Sequence, residues 1–164
     1  MKQSCDTYFY EVARLLGVDR LNVTAEKFGL GKKVLGDYYD YEKSGLFPNT
    51  KWKKNNLGKG WVLGETLITG IGQGYTQTTP LQLCLMTAQI ANGGYSIKPR
   101  IVVNNNPMSL EEAKNKLKEE TLHGQEKKLF KDHKNIKIVQ EAMFSSTNEL
   151  YGTSYKSRID NPKY

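Results

Sequence analysis

The 164-residue sequence has few of the residues that mark metal-binding proteins. It contains two cysteines and two histidines. Cys5 and Cys84 lack the spacing of metal ligands, and no third ligand accompanies His123 and His133 at a sequence spacing typical of metal sites. We therefore expect no metal site, while the two cysteines neither establish nor exclude a disulfide.

Long apolar runs and cofactor motifs are also missing. No stretch approaches the roughly 18 consecutive apolar residues of a membrane-spanning helix. Gly70, Gly72 and Gly74 look like a phosphate-binding loop, but no Lys-Ser or Lys-Thr pair follows, and no helix opens at the required distance. We expect no cofactor, and we interpret this segment as a turn where the backbone closely approaches another element.

Acidic residues are outnumbered, with 17 against 24 basic residues and a formal net charge of +7. Such a charge could favour nucleic acid or an anionic surface. The lysines are dispersed, however, and no basic run alternates with the aromatic residues on which bases stack. We interpret them mainly as solvated surface residues and expect no nucleic-acid partner, although a small basic nucleic-acid-binding module remains an alternative.

Apolar spacing predicts several helices. Phe9, Val12, Ala13 and Leu16 recur at helical intervals, which favours a first helix over residues 6–16. Further helices are predicted over 19–28, 109–120 and 136–148. The glycine-rich stretch 29–67 is predicted to be irregular, and long irregular stretches in compact domains are often functional.

The segment after Thr79 gives the strongest helix signal. Thr79 and Gln82 form a capping box, and Pro80 suits the first helical position. The body, 81–91, is apolar nearly all round, so we expect it to be buried on most sides. Residues 92–94, Asn-Gly-Gly, should end the helix, and an extended segment should follow over 95–103.

Ser4-Cys5-Asp6 stands where the first helix begins, and two interpretations remain open. Serine and aspartate are common helix caps, but a hydroxyl beside a carboxylate could also serve a nucleophile. The Ser-x-x-Lys motif of serine acyl-transferases is absent, because no serine has lysine three positions later. Lys43-Ser44-Gly45 imitates another such motif, but Leu-Phe-Pro follows it, so we interpret it as a turn.

Several blocks together resemble the transpeptidase domain of class B penicillin-binding proteins, the elongation type in particular. The blocks are SCDTYFYEVARLLGVDRL, FGLGKK, EKSGLFP and GETLITGIGQGYTQTTPLQLCLMTAQIANGGYSIKPRIV. The resemblance covers residues 1–102 and, more loosely, 136–164. Residues 104–133 depart from it, which fits a variable surface insertion.

The resemblance implies a fold and site residues. Its α+β fold packs a helical cluster on a five-stranded antiparallel sheet, and residues 1–164 would be a partial domain, mostly helical with few short strands. Ser4-Cys5-Asp6 matches the second of three motifs, with the Ser-x-x-Lys nucleophile expected before Met1 and the Lys-Thr/Ser-Gly strand after Tyr164. Ser4 would shuttle a proton to the leaving group, Asp6 would orient the lysine or the substrate amide, and Gly72-Gln73-Gly74 would support the cleft.

The resemblance also implies an activity. Such enzymes cross-link peptidoglycan stem peptides through an acyl-serine intermediate and bind β-lactams, at the periplasmic face of the bacterial inner membrane, with a membrane glycosyltransferase as partner. We expect the chain alone to be inactive, and the two thiols to be buried and free. A non-catalytic scaffold of the same fold is a further alternative.

Overall fold

The described part of the computed structural model comprises residues 2–36, 39–99 and 128–159, with positions 111 and 115. It is helical, and within it the only β pairing is two isolated bridges, Leu46 with Gln77 and Tyr95 with Lys128. The helices are α1 (Asp6–Leu16), α2 (Val18–Lys27), α3 (Thr50–Leu57), α4 (Leu63–Gly70), α5 (Pro80–Ala91) and α6 (Lys134–Asn148), followed by a 3₁₀ turn, Tyr155–Ser157. The expectation of a mostly helical segment with few strands is confirmed.

The predicted helices over 6–16, 19–28 and 136–148 correspond to α1, α2 and α6 within two residues at each end. Gly17 separates α1 from α2 with φ 76°, a backbone conformation that glycine adopts without strain. The predicted helix over 109–120 lies outside the described residues except for positions 111 and 115. Most of the proposed insertion, 104–133, also lies outside them, as does the extended segment beyond residue 99.

The prediction that 29–67 is irregular is correct as far as Asn49 and wrong beyond it, because α3 and most of α4 fall within this stretch. Asn49 caps α3 by accepting a hydrogen bond from the backbone N–H of Trp52 at 2.7 Å. Gly58 ends α3 in the left-handed conformation, with φ 66°. Helix α3 is polar, so it carried little of the apolar periodicity from which helices were predicted.

Helix α5 has the predicted capping box, in which the N–H of Gln82 donates to Thr79 Oγ1 at 3.2 Å and the N–H of Thr79 donates to Gln82 Oε1 at 3.0 Å. The prediction that its apolar body is buried on most sides is wrong. Its buried residues are Gln82, Leu85 and Gln89, whereas Leu83 is 44% exposed. Two glutamines occupy the buried face because loop carbonyls there need donors, as described next.

The side chain of Gln82 is fully buried and joins two loops to α5. Its Nε2 donates to the carbonyls of Lys32 and Ser44, each at 2.7 Å. Gln89 acts similarly, donating to the carbonyl of Phe28 at 3.1 Å. Together with the Leu46–Gln77 bridge, these side-chain bonds hold the irregular stretch and the end of α2 against α5.

Helices α1 and α4 cross closely. A Cβ built on Gly70 would lie 2.4 Å from the Cβ of Ala13, and Ala13 is only 2% exposed. Only glycine at this position allows the two helices to approach so closely. The sequence-based interpretation of the glycine segment as a place of close backbone approach is therefore confirmed at its first glycine.

The C-terminal helix α6 packs beside the end of α5. Gln140 Nε2 donates to the carbonyl of Ile90 at 2.7 Å, and Ile136, 5% exposed, lies against Gly94. Its other side is open, since Ile138 and Phe144 are 62% and 63% exposed. Among the described helices, none combines the length and the apolar character needed to cross a membrane.

Candidate functional site

The Ser4-Cys5-Asp6 triplet lies at the N-terminus of α1, and all three residues are exposed. Cys5 is the N-cap residue, and no side chain caps this end of the helix. Asp6 is the first helical residue, where its carboxylate interacts favourably with the helix dipole. The ordinary-cap interpretation is therefore wrong for the Ser4 hydroxyl, which has a different partner.

Ser4 has an unusual backbone conformation, with φ 47°. A residue other than glycine rarely adopts the left-handed region, and such strain persists only where surrounding contacts enforce it. The Ser4 hydroxyl points toward Thr153, with 3.5 Å between the two hydroxyl oxygens. The N-terminal segment thus meets the turn that follows α6, almost 150 residues later in the chain.

Two further contacts hold this junction. The N–H of Thr153 donates to the carbonyl of Lys2 at 3.0 Å. Lys2 Nζ lies 2.6 Å from a carboxylate oxygen of Glu149, which also accepts a hydrogen bond from Ser145 at 2.8 Å. The Lys2 hydrogen bond, and then that of Ser145, lowers the pKa of Glu149. The carboxylate is therefore ionised at neutral pH, and the ion pair persists there.

Sequence reasoning missed Thr153 and Glu149. It assigned no role to the segment that contains them. One signal was present in the sequence, namely the glycine Gly152 between a tyrosine and a threonine. In the structure, a Cβ on this residue would come within 2.2 Å of the carbonyl oxygen of Ser146. The glycine is needed so that this turn can fold back onto α6.

Gly72-Gln73-Gly74 forms an exposed turn directly after α4. Gly72 and Gly74 have φ angles of 76° and 78°, and the N–H of Gln73 donates to the carbonyl of Ile68 at 2.9 Å. Through α4 the turn is attached to the body of α1, but the described contacts of Ser4 lead to Thr153. Ser4 and Asp6 thus share the N-terminus of α1, and among the described residues no hydrogen bond or ion pair joins either of them to this turn.

A buried ion pair stabilises the α3–α4 region. Lys53 Nζ donates a hydrogen bond to Glu65, with side chains only 6% and 14% exposed. Burial raises the pKa of Glu65, but the hydrogen bonds from Lys53, from the N–H of Val62 and from Tyr75, together with the charge of Lys53, outweigh it, so the net pKa is lowered. Trp61 donates its ring N–H to Thr66 at 2.8 Å beside this pair. We interpret the cluster as structural.

The expectation of buried thiols is wrong, because Cys5 and Cys84 are both exposed, although they are free as expected. The Cys5 thiol lies 3.2 Å from the hydroxyl of Thr7, and this hydrogen bond lowers its pKa. Cys84 is exposed because the apolar face of α5 is uncovered in the described part of the chain. Within that part, no group of three or more His, Cys, Asp or Glu side chains could hold a metal ion.

Comparison with known proteins places this geometry in a family. Residues 1–163 match the penicillin binding protein transpeptidase domain. The peptidoglycan D,D-transpeptidase MrdA of Acinetobacter baumannii is 42% identical over 99 residues, which are 60% of this chain and 15% of that protein. MrdA of Escherichia coli is 36% identical over 104 residues, 63% of this chain and 16% of that protein. The chain thus spans about a sixth of the length of these relatives.

Solved structures agree in fold. A crystal structure of Pseudomonas aeruginosa PBP2 superposes with a TM-score of 0.74 at 35% identity, over 95% of this chain and 33% of that one. PBP2 of Helicobacter pylori, in its complex with MreC, superposes with a TM-score of 0.78 at 28% identity, over 98% of this chain and 27% of that one. The described helices are therefore the helical part of an α+β transpeptidase domain, as the resemblance implied. The chain belongs to the penicillin-binding protein transpeptidase domain family.

Proposed function

We propose that this chain is the interior of a peptidoglycan D,D-transpeptidase domain of the elongation type. The observation that carries the proposal is the family match over residues 1–163, together with a Ser-x-Asp triplet at an exposed helix N-terminus. The strained φ of Ser4 supports a functional role, because the chain holds a serine where backbone energetics favour glycine. The nucleophile motif and the Lys-Thr/Ser-Gly strand are supplied by other parts of the protein.

In the proposed reaction, the serine of the nucleophile motif attacks the carbonyl carbon of D-Ala-D-Ala in a stem peptide, and its proton passes to the neighbouring lysine. Ser4 takes a proton from that lysine and gives its own to the nitrogen of the departing D-alanine. The C–N bond breaks, leaving an acyl-serine. An amine from a second stem peptide then attacks the acyl carbon and loses a proton, which returns through the lysine to the serine oxygen as the acyl C–O bond breaks; this forms the cross-link and frees the serine.

Asp6 and the glycine turn have supporting roles in this proposal. The Asp6 carboxylate, two residues from Ser4, orients the lysine ammonium or the substrate amide. Gly72-Gln73-Gly74 supports the cleft wall from the end of α4. The relative contributions follow from chemistry: general acid–base assistance is worth about 10²–10⁴-fold in rate, whereas without the nucleophile no acyl-enzyme forms.

The proposal extends to partners and location. Stem peptides and β-lactams, which resemble D-Ala-D-Ala, are the ligands of the complete protein, and a membrane glycosyltransferase is its partner at the periplasmic face of the inner membrane. The complex of Helicobacter pylori PBP2 with MreC supports assembly with other proteins. The family match favours this function over a nucleic-acid-binding module, for which charge is the sole argument.

Covalent labelling by a fluorescent penicillin tests the proposal. The complete protein that carries this chain should give a fluorescent band that survives denaturation, whereas the chain alone should give none. Absence of a band from the folded complete protein would favour the scaffold alternative. A band from the chain alone would show that the nucleophile lies within residues 1–164.

A further inference from the structure

Two residues other than glycine have positive φ angles among the described residues, and both lie at one junction. They are Ser4, with φ 47°, and Tyr151, with φ 67°. Ser4 precedes α1, and Tyr151 lies in the turn after α6. Backbone strain on both sides of one contact indicates that the fold maintains this contact against local preference.

Three hydroxyl groups form a chain across the junction. The Ser4 hydroxyl donates toward Thr153 Oγ1 at 3.5 Å, and Thr153 Oγ1 lies 3.2 Å from Ser146 Oγ. Ser146 is in α6, so the three hydroxyl groups link α1, which begins at the candidate site, to α6. The 3.5 Å contact is longer than the roughly 2.8 Å of a full hydroxyl hydrogen bond, and catalytic hydrogen bonds commonly tighten when substrate binds.

The backbone around these three hydroxyl groups is held by contacts that do not involve the hydroxyls. The N–H of Thr153 donates to the carbonyl of Lys2 at 3.0 Å, and Lys2 pairs with Glu149 at 2.6 Å. The N–H of Ser154 donates to the carbonyl of Ser146 at 3.1 Å, which seats the turn on α6. Loss of the Thr153 hydroxyl alone therefore leaves the turn in place, especially as Thr153 is exposed.

We propose that Thr153 is a positioning residue for Ser4, an inference that rests on the proposed proton-shuttling role of Ser4. Because Ser4 donates toward Thr153, the lone pairs of the Ser4 oxygen are available to accept a proton from another group. When Ser4 gives its own proton to the leaving nitrogen, the Thr153 hydroxyl can rotate and donate to the Ser4 oxygen. Thr153 keeps its proton throughout, and its effect is to hold the Ser4 oxygen in one rotamer.

Variants of the complete protein test this role through the rate of acylation by a fluorescent penicillin and the rate of D-alanine release. Thr153→Val keeps the side-chain shape and removes the hydroxyl, so both rates should fall about 3- to 10-fold, the value of one modest hydrogen bond. Thr153→Ser restores a hydroxyl and should recover most of the rate. The matched control is Thr147→Val, because the Thr147 hydroxyl bonds only within α6 and its loss should leave both rates unchanged.

A double-mutant cycle with Ser4→Ala separates positioning from a structural effect. If Thr153 acts through Ser4, Thr153→Val causes no additional loss in the Ser4→Ala background. Equal rates for Thr153→Val and wild type would overturn the inference, and so would a loss that multiplies with that of Ser4→Ala. A wild-type protein that is neither acylated nor releases D-alanine would instead refute the proposed function itself.

Discussion

Replacing Lys53 by methionine should destabilise the domain by about 3 kcal/mol at pH 7. Methionine keeps much of the aliphatic volume but leaves the Glu65 carboxylate without its partner in a site where its side chain is 14% exposed. Removing one member of a buried ion pair typically costs about 3–5 kcal/mol. We take the low end because some solvent reaches Glu65.

The effect should depend on pH in a defined direction. In the wild type the pKa of Glu65 is lowered, so its contribution is fully present above the pKa of the unfolded chain and is lost as pH falls through the folded-state pKa. In Lys53→Met, burial still raises the pKa of Glu65, and only the hydrogen bonds from the Val62 N–H and from Tyr75 still oppose it. The deficit of the variant should therefore shrink as pH falls from 7 toward 4.

Urea denaturation of the complete transpeptidase domain, followed by tryptophan fluorescence and circular dichroism between pH 4 and 7, measures this deficit. Arg14→Met is the matched control, because Arg14 pairs with Glu11 on an exposed helix surface and exposed pairs contribute little. The reasoning is refuted if Lys53→Met and Arg14→Met lose the same small stability, or if the Lys53→Met deficit grows as pH falls.

Two further substitutions test the packing. Gly70→Ala places a methyl group 2.4 Å from the Cβ of Ala13, so thermal denaturation should show a loss of about 1–3 kcal/mol. Gly64→Ala in the same helix meets nothing within 4 Å and should be neutral or stabilising by up to about 1 kcal/mol; similar effects of the two changes would contradict the close crossing. Gln82→Leu leaves two loop carbonyls without their donor, so urea denaturation should show a loss of about 1–3 kcal/mol, and a neutral result would refute the bracing role of Gln82.

Helices with local signals were predictable from the sequence. Gly17 marks the end of α1, and the Thr79–Gln82 capping box marks the start of α5. Helix α3 was missed although its N-cap, Asn49, is a local signal, because its one buried residue, Lys53, is buried against Glu65 of the next helix and not through an apolar face. Apolar periodicity carries no information about such a polar helix.

The burial of α5 was mispredicted for a related reason. Composition suggested that its apolar body faces a core, but of its leucines only Leu85 is buried. Beside Leu85, the core side carries Gln82 and Gln89, which supply donors to carbonyls about 40 to 60 residues away. No local pattern shows that a loop carbonyl needs a partner. The exposed Leu83 and Cys84 face the opposite way.

The candidate site was predictable only in part. Ser4 and Asp6 were identified from their motif and lie together at the N-terminus of α1, and their catalytic roles remain predictions. Thr153 was missed because its contact with Ser4 spans 149 positions in sequence. Such a pairing follows from how α6 and its turn fold back on the N-terminal segment, which no spacing rule reveals.

The rate of D-alanine release from a stem pentapeptide by the complete protein, compared between wild type and Ser4→Ala, tests the central claim most directly. The account predicts a fall of about 10²–10⁴-fold, the usual contribution of general acid–base catalysis. Ser44→Ala is the control and should leave the rate unchanged, because Lys43-Ser44-Gly45 resembles a catalytic motif but is interpreted as a turn. An undiminished rate in a folded Ser4→Ala protein would contradict the role assigned to Ser4 at the N-terminus of α1.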